Sequence, residues 1–130
     1  MRSDEEIKTD VYKYIKCTSL VREVSGCLSK RLRPHNSKKE DIVISVVANE
    51  GIQEQTAILN VNIYVQDMDV KGQNEEDSIR LNELCSLSWS TLKSFCSEGY
   101  FARAIGQRVY PTETGEHIIN NKIEYKLIND

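Results

Sequence analysis

The chain is short of the residues from which hydrolases and metalloenzymes are usually built. Among its 130 residues are two histidines, two prolines, one tryptophan and two phenylalanines. A catalytic triad or zinc site needs histidine in company. His35 and His117 stand outside any His-x-x-x-His or His-Glu-x-x-His spacing and outside any Gly-x-Ser-x-Gly elbow. Both are expected on the surface. Cys17, Cys27, Cys85 and Cys96 contain no Cys-x-x-Cys pair, which argues against a zinc knuckle or thioredoxin-like centre and in favour of buried free thiols. The six glycines, at 26, 51, 72, 99, 106 and 115, build neither a P-loop nor a dinucleotide fingerprint. No catalytic, cofactor-binding or metal-binding residue is therefore assigned.

Long apolar runs are missing too. None approaches the ~18–20 residues that span a bilayer, so no membrane role is expected. The opening Met1-Arg2-Ser3-Asp4-Glu5-Glu6 is acidic and has no apolar core behind it, unlike a secretory leader. Positive charge is in deficit. There are 17 Lys and Arg against 20 Asp and Glu, a net charge of -3, where a DNA-coating protein would carry a basic excess. No internal repeat or low-complexity segment is visible.

What the chain has in quantity is β-branched side chains: 23 Val and Ile against nine Leu and four Ala. These fit a pleated sheet better than a helix. With 39% apolar and 28% charged residues, the length fits one α+β domain covering residues 1–130.

Ser3 and Glu6 have capping-box spacing, and Ile7, Val11, Tyr14 and Ile15 form one stripe, predicting a helix over 4–16. Residues 27–33 read as a strand with Leu28 and Leu32 inward, stopped by Pro34, with a polar loop over 35–40. The near-continuous apolar run 41–48 reads as a central strand covered on both faces. Residues 56–66 alternate most cleanly: Ala57, Leu59, Val61, Ile63 and Val65 face one side, and Asn60, Asn62, Tyr64 and Gln66 the other. A charged loop is expected over 67–73. A helix capped by Asn74 then carries Leu81, Leu84, Cys85, Ser88, Leu92, Phe95 and Cys96 on its packed face, with Trp89 in the core, and ends before Gly99. Two last strands fall near 102–110 and 118–128. The order is α-β-β-β-α-β-β: a mostly antiparallel sheet of about five strands with two helices packed on one face.

Two features bear on function. Lys30, Arg31, Arg33, Lys38 and Lys39, with Arg22 and His35, are countered only by Glu23. Asp67, Asp69, Glu75, Glu76, Asp77 and Glu83 form an acidic counterpart. Such runs are either ordinary solvated surface or complementary patches that permit head-to-tail contacts between copies. The polar strand face of Asn60, Asn62, Tyr64 and Gln66, continued by Asp67, Asp69 and Lys71, is either wet or an oligomer or partner interface. The element order also resembles restriction-endonuclease-like nucleases, in which strand carboxylates and a lysine hold Mg²⁺. Asp41 and Asp69-Val70-Lys71 are the only match, and amides stand where that family needs acids.

The whole pattern resembles the tail-completion or tail-terminator proteins at the neck of long-tailed bacteriophages and prophages. The resemblance is carried by Val11-Tyr12-Lys13-Tyr14-Ile15, Gly26, Leu32-Arg33-Pro34 and Asn36-Ser37. It continues through Glu40-Asp41-Ile42-Val43-Ile44, Val61-Asn62-Ile63-Tyr64-Val65 with its acidic loop, the long helix, and a closing strand opened by Gly115-Glu116-His117. It implies a non-enzymatic virion structural protein that forms a homo-oligomeric ring, often hexameric. Its partners would be further copies of itself, the tail tube and the head-connector proteins. DNA would pass through as cargo, although no strongly basic lumen stripe is visible. The protein would occupy the bacterial host cytoplasm before assembly and the tail or neck of the virion afterwards. A small protein-binding or scaffolding domain without a virion role is the remaining alternative.

Overall fold

The Ser3 hydroxyl accepts from the Glu6 N–H, and the Glu6 carboxylate accepts from the Ser3 N–H, so the capping box sets the start of α1 (Asp4–Lys16). In the computed structural model, which describes residues 1–51 and 54–128, this helix turns Ile7, Val11 and Ile15 fully inward. Each such burial contributes roughly 1.5–3 kcal/mol. A short helix α2 (Ser19–Glu23) follows, buried through Leu20.

The protein is α+β. Among the described residues are three helices and a six-stranded sheet ordered β1-β2-β3-β8-β7-β6. The strands are β1 (Leu28–Ser29), β2 (Ile42–Glu50), β3 (Thr56–Gln66), β6 (Ser94–Ser97), β7 (Tyr100–Pro111) and β8 (Glu116–Leu127). All neighbours are antiparallel except β1 and β2. A separate hairpin pairs β4 (Met68–Val70) with β5 (Gln73–Glu75), and α3 (Ser78–Leu92) comes after it. The inner sheet face, with Ile44, Leu59, Val61, Ile63, Ile119, Ile123 and Tyr125, joins the stripes of α1 and α3 in one core. The aromatic rings extend that core: Tyr14 stacks on Phe95 at 4.0 Å and Tyr100 on Tyr125 at 4.9 Å between centroids.

The observed order, α-α-β-β-β-β-β-α-β-β-β, corrects the expected one in several places. Residues 27–33 supply only a two-residue strand, and Leu32 is 83% exposed. β2 is not covered on both faces, since Ser45 and Val47 are exposed and only a fragment of β1 lies beside it. The charged segment 67–73 is not a plain loop. Lys71 (φ 53°) and Gly72 (φ 80°) take left-handed conformations that match the twist of a two-residue hairpin turn, and the Asp69 carboxylate accepts from the Gly72 N–H. The last helix is capped by Asp77 rather than Asn74. It ends at Leu92 because the next residues pair with β7, Phe95 opposite Ala102 and Ser97 opposite Tyr100. Gly99 (φ 84°) makes the reversal between the two strands. Trp89 is exposed, not core. The thiols are free, but Cys17, Cys27 and Cys96 are exposed and Cys85 is half-buried, so the expectation of buried thiols fails.

Register fixes which residues share the outer face. Directly opposed residues lie on the same side of a sheet. Asn60, Asn62, Tyr64 and Gln66 therefore share that side with Lys122, Asn120, Ile118 and Glu116 of β8, and through these with Gly106, Arg108 and Tyr110 of β7. Neither α1 nor α3 packs there, because their buried stripes meet the opposite face.

Candidate assembly surface

The outer face is anchored at one end by an arginine that the Leu32-Arg33-Pro34 segment lays across it. The Arg33 guanidinium sits 4.0 Å from the Tyr64 ring centroid. It pairs with Asp41 at 2.9 Å and Glu116 at 2.7 Å, and donates to the Lys39 carbonyl at 2.9 Å. Asp41 is 1% exposed. Burial alone would raise its pKa. Hydrogen bonds from the Ser37 hydroxyl, the Cys27 N–H and Arg33 outweigh that, and its carboxyl titrates below the ordinary aspartate range. Gly26 permits the approach, because a Cβ there would lie 2.3 Å from an Asp41 oxygen and 2.7 Å from the Glu40 backbone. Glu116 also accepts from Gln66 Nε2 and the Thr114 hydroxyl. Burial raises the pKa of Tyr64 beneath the guanidinium. Between residues 32–38 and the sheet runs an open groove of about 820 Å³, lined by Arg33, Ser37, Lys38, Tyr64, Gln66 and Glu116 among others.

Tyr64 and Gln66 thus meet Arg33 and Lys38 of the basic run at one place. The rest of the expected set is dispersed. Asn62 Oδ1 accepts from Asn120 Nδ2 at 2.7 Å, while the neighbouring Asn60 Oδ1 is buried without a partner among the described residues. Asp67 is turned to His117, with 2.6 Å between its carboxylate and Nδ1, and Asp69 is committed to the hairpin turn. Lys71 is exposed in that turn. The basic run does not form one patch. Lys30 Nζ donates to Thr9 of α1 at 2.7 Å, away from the groove, whereas Arg31 and Lys39 are exposed. His117 is not freely on the surface, being held between Asp67 and, at 3.7 Å, Glu76.

The acidic counterpart is also partly internal. Arg80 grips both oxygens of Glu40, at 2.6 and 2.7 Å, and reaches Glu23 and Glu83, tying α3 to α2 and to the approach to β2. Its own pKa is raised, chiefly by the bond to Glu40. A third cluster joins Arg2, Asp10 and the Tyr125 hydroxyl, locking the N-terminus onto β8. Four outer-face cations, Arg103, Arg108, Lys122 and Lys126, were not among the expected interface residues. Strand alternation marks each singly, but only the β7–β8 register brings them together.

Among the described residues, no group of three or more His, Cys, Asp or Glu side chains is placed to hold a metal ion. Asp41 and Asp69 share no partner: one faces Arg33 and the other a backbone N–H. No helix among the described residues is long and apolar enough to cross a membrane. The chain matches no protein-family model and no curated protein.

Proposed function

We propose that this chain is a non-enzymatic structural protein of the head–tail neck of a phage or prophage, a ring subunit that completes the tail and joins it to the head connector. One observation carries the reading. A sheet face four strands wide, which no helix among the described residues covers, presents amides and cations. A sheet of this kind needs solvent-tolerant side chains or neighbours on its open face and edges, and assembly provides the neighbours. The charged clusters point the same way. Arg33, Arg80 and Arg2 each spend their donors on holding elements of this chain together.

In this reading the groove beside Arg33 and the β4–β5 hairpin meet further copies, the tail tube or the connector. DNA is cargo in the lumen. The protein passes from host cytoplasm to virion neck. The magnesium-nuclease reading has less support, since Asp41 already has a guanidinium, a hydroxyl and a backbone N–H as partners.

Sizing chromatography with light scattering, followed by electron microscopy of the peak, tests the reading. Closed rings without magnesium-dependent DNA cleavage are expected. Cleavage lost in Asp41→Asn or Asp69→Asn would overturn it, as would a monomer that neither self-associates nor caps tail tubes.

A further inference from the structure

Both ends of the sheet stop short of a neighbour. β6 pairs with β7 only from Tyr100 to Arg103, and one more bond, from the Ala104 N–H to the Lys93 carbonyl, closes that pairing. Residues 105–111 of β7 have no strand beyond them among the described residues. At the opposite end, β1 covers only Ile42 and Val43 of β2, leaving residues 44–50 open. Each open stretch is seven residues long. Such edges carry unpaired N–H and C=O groups and template further pairing unless they are blunted. Here neither stretch contains a lysine, and the one proline, Pro111, is terminal; the interruptions are one irregularity in each strand, at Val46/Ala48 in β2 and at Ala104/Gly106 in β7.

The two edges match in direction and in face. Successive antiparallel pairings β2·β3, β3·β8 and β8·β7 make β2 and β7 run in opposite senses. Laying β7 of one copy beside β2 of the next, with both sheets facing the same way, therefore gives an antiparallel pair. Val109 lies opposite Ile119 and Val46 opposite Leu59, so both belong to the inner face and would extend the apolar layer across the junction. Arg108 and Glu50 both belong to the outer face by register, and both are exposed. The apolar side chains exposed on the β7 edge are Ile105, Val109 and Tyr110, at 43%, 39% and 41%, and Val47 on the β2 edge is 55% exposed. Trp89 lies one helical turn beyond Cys85, whose carbonyl accepts from Gln107 of β7. The one tryptophan is therefore carried on the flank of α3 tied to that edge.

We propose that copies of this chain join edge to edge, residues 105–111 of one pairing antiparallel with residues 44–50 of the next, so that the sheet continues from subunit to subunit. The proposal rests on the assembly reading and names its contact. The junction is heterologous: each copy uses two different edges, and the array closes into a ring if the rotation per step permits.

The test uses the full chain and two variants at exposed positions, Val109→Lys on one edge and Val47→Lys on the other, with circular dichroism and thermal melting to check that each remains folded. Sedimentation velocity and Trp89 emission report association. Wild type is expected to assemble with a blue shift of Trp89. Each variant alone is expected to associate about ten-fold or more weakly, as expected for a charge set on a pairing edge. An equimolar mixture is expected to stop at a heterodimer, because each variant retains the edge that the other lacks. Assembly that survives in both variants would overturn the edge pairing while leaving a ring of other construction. Loss in Val109→Lys with full assembly of Val47→Lys would overturn it in favour of a symmetric β7–β7 contact. Wild type that caps tail tubes yet never self-associates would overturn it too, without touching the neck assignment.

Discussion

Replacing Arg33 with methionine keeps a flexible unbranched stem and removes the guanidinium with its charge. The Arg33 side chain is 17% exposed, Asp41 1% and Glu116 7%, so two carboxylates would be left nearly buried without their shared cation. Breaking a buried pair in this way costs about 3–5 kcal/mol, against a total stability of about 5–15 kcal/mol. Part of the loss comes from the guanidinium–ring contact with Tyr64, worth about 0.5–2 kcal/mol. Urea unfolding at neutral pH measures the total. The pH dependence separates the causes. In wild type the Asp41 pKa is lowered, so its contribution is complete above the ordinary aspartate pKa of about 4 and is lost as pH falls through the lower folded value. In Arg33→Met the burial of Asp41 goes unopposed by a cation, and protonation relieves it. The variant is expected to lose less stability than wild type between neutral pH and the acid range. Adding Glu116→Gln is expected to restore part of the loss at neutral pH. A deficit below about 0.5 kcal/mol, as for a solvent-exposed pair, would refute the buried clamp.

Arg80→Gln is expected to cost about 1.5–3 kcal/mol through its bonds to Glu40, read as a lowered unfolding midpoint. Glu83→Gln, on a carboxylate 56% exposed, is expected to be near neutral. Gly26→Ala drives a methyl into Asp41 and the Glu40 backbone and is expected to destabilise by about 1–3 kcal/mol in the same assay. Burial pushes the Tyr100 pKa up to about 12. That contribution is complete below the ordinary tyrosine pKa of about 10 and is lost as pH rises through the folded value, so tyrosinate absorbance and unfolding are expected to rise together in that window. A thiol-reactive chromogen is expected to titrate Cys17, Cys27 and Cys96 fast in the native protein and Cys85 slowly, since burial shields it and raises its pKa.

Much of the scaffold was legible because it follows from local rules. The Ser3–Glu6 box and the Ile7, Val11, Ile15 stripe place α1 to the residue, and strict alternation places β3. The failures fall where two patterns coincide or a pattern is too short. Leu92 and Phe95 have helical spacing, yet Phe95 reaches the core from a strand paired with β7, a contact no local reading sees. The β4–β5 hairpin has three residues a side, too few for alternation to register among charges. The assembly surface was half legible. Asn60, Asn62, Tyr64 and Gln66 were read as one face. Arg33 was read as one of a run of cations, when its partners Asp41, Tyr64 and Glu116 come from three separate strands or their approaches. Charge counting along the chain cannot distinguish a clamp from a patch, because the difference lies in what the other strands bring.

The central claim is that the protein works as a building unit through its uncovered sheet. Electron microscopy of the assembled chain tests it most directly. The account predicts closed rings of uniform size that seat on the ends of tail tubes. A chain that remains single beside those tubes at every concentration would contradict it.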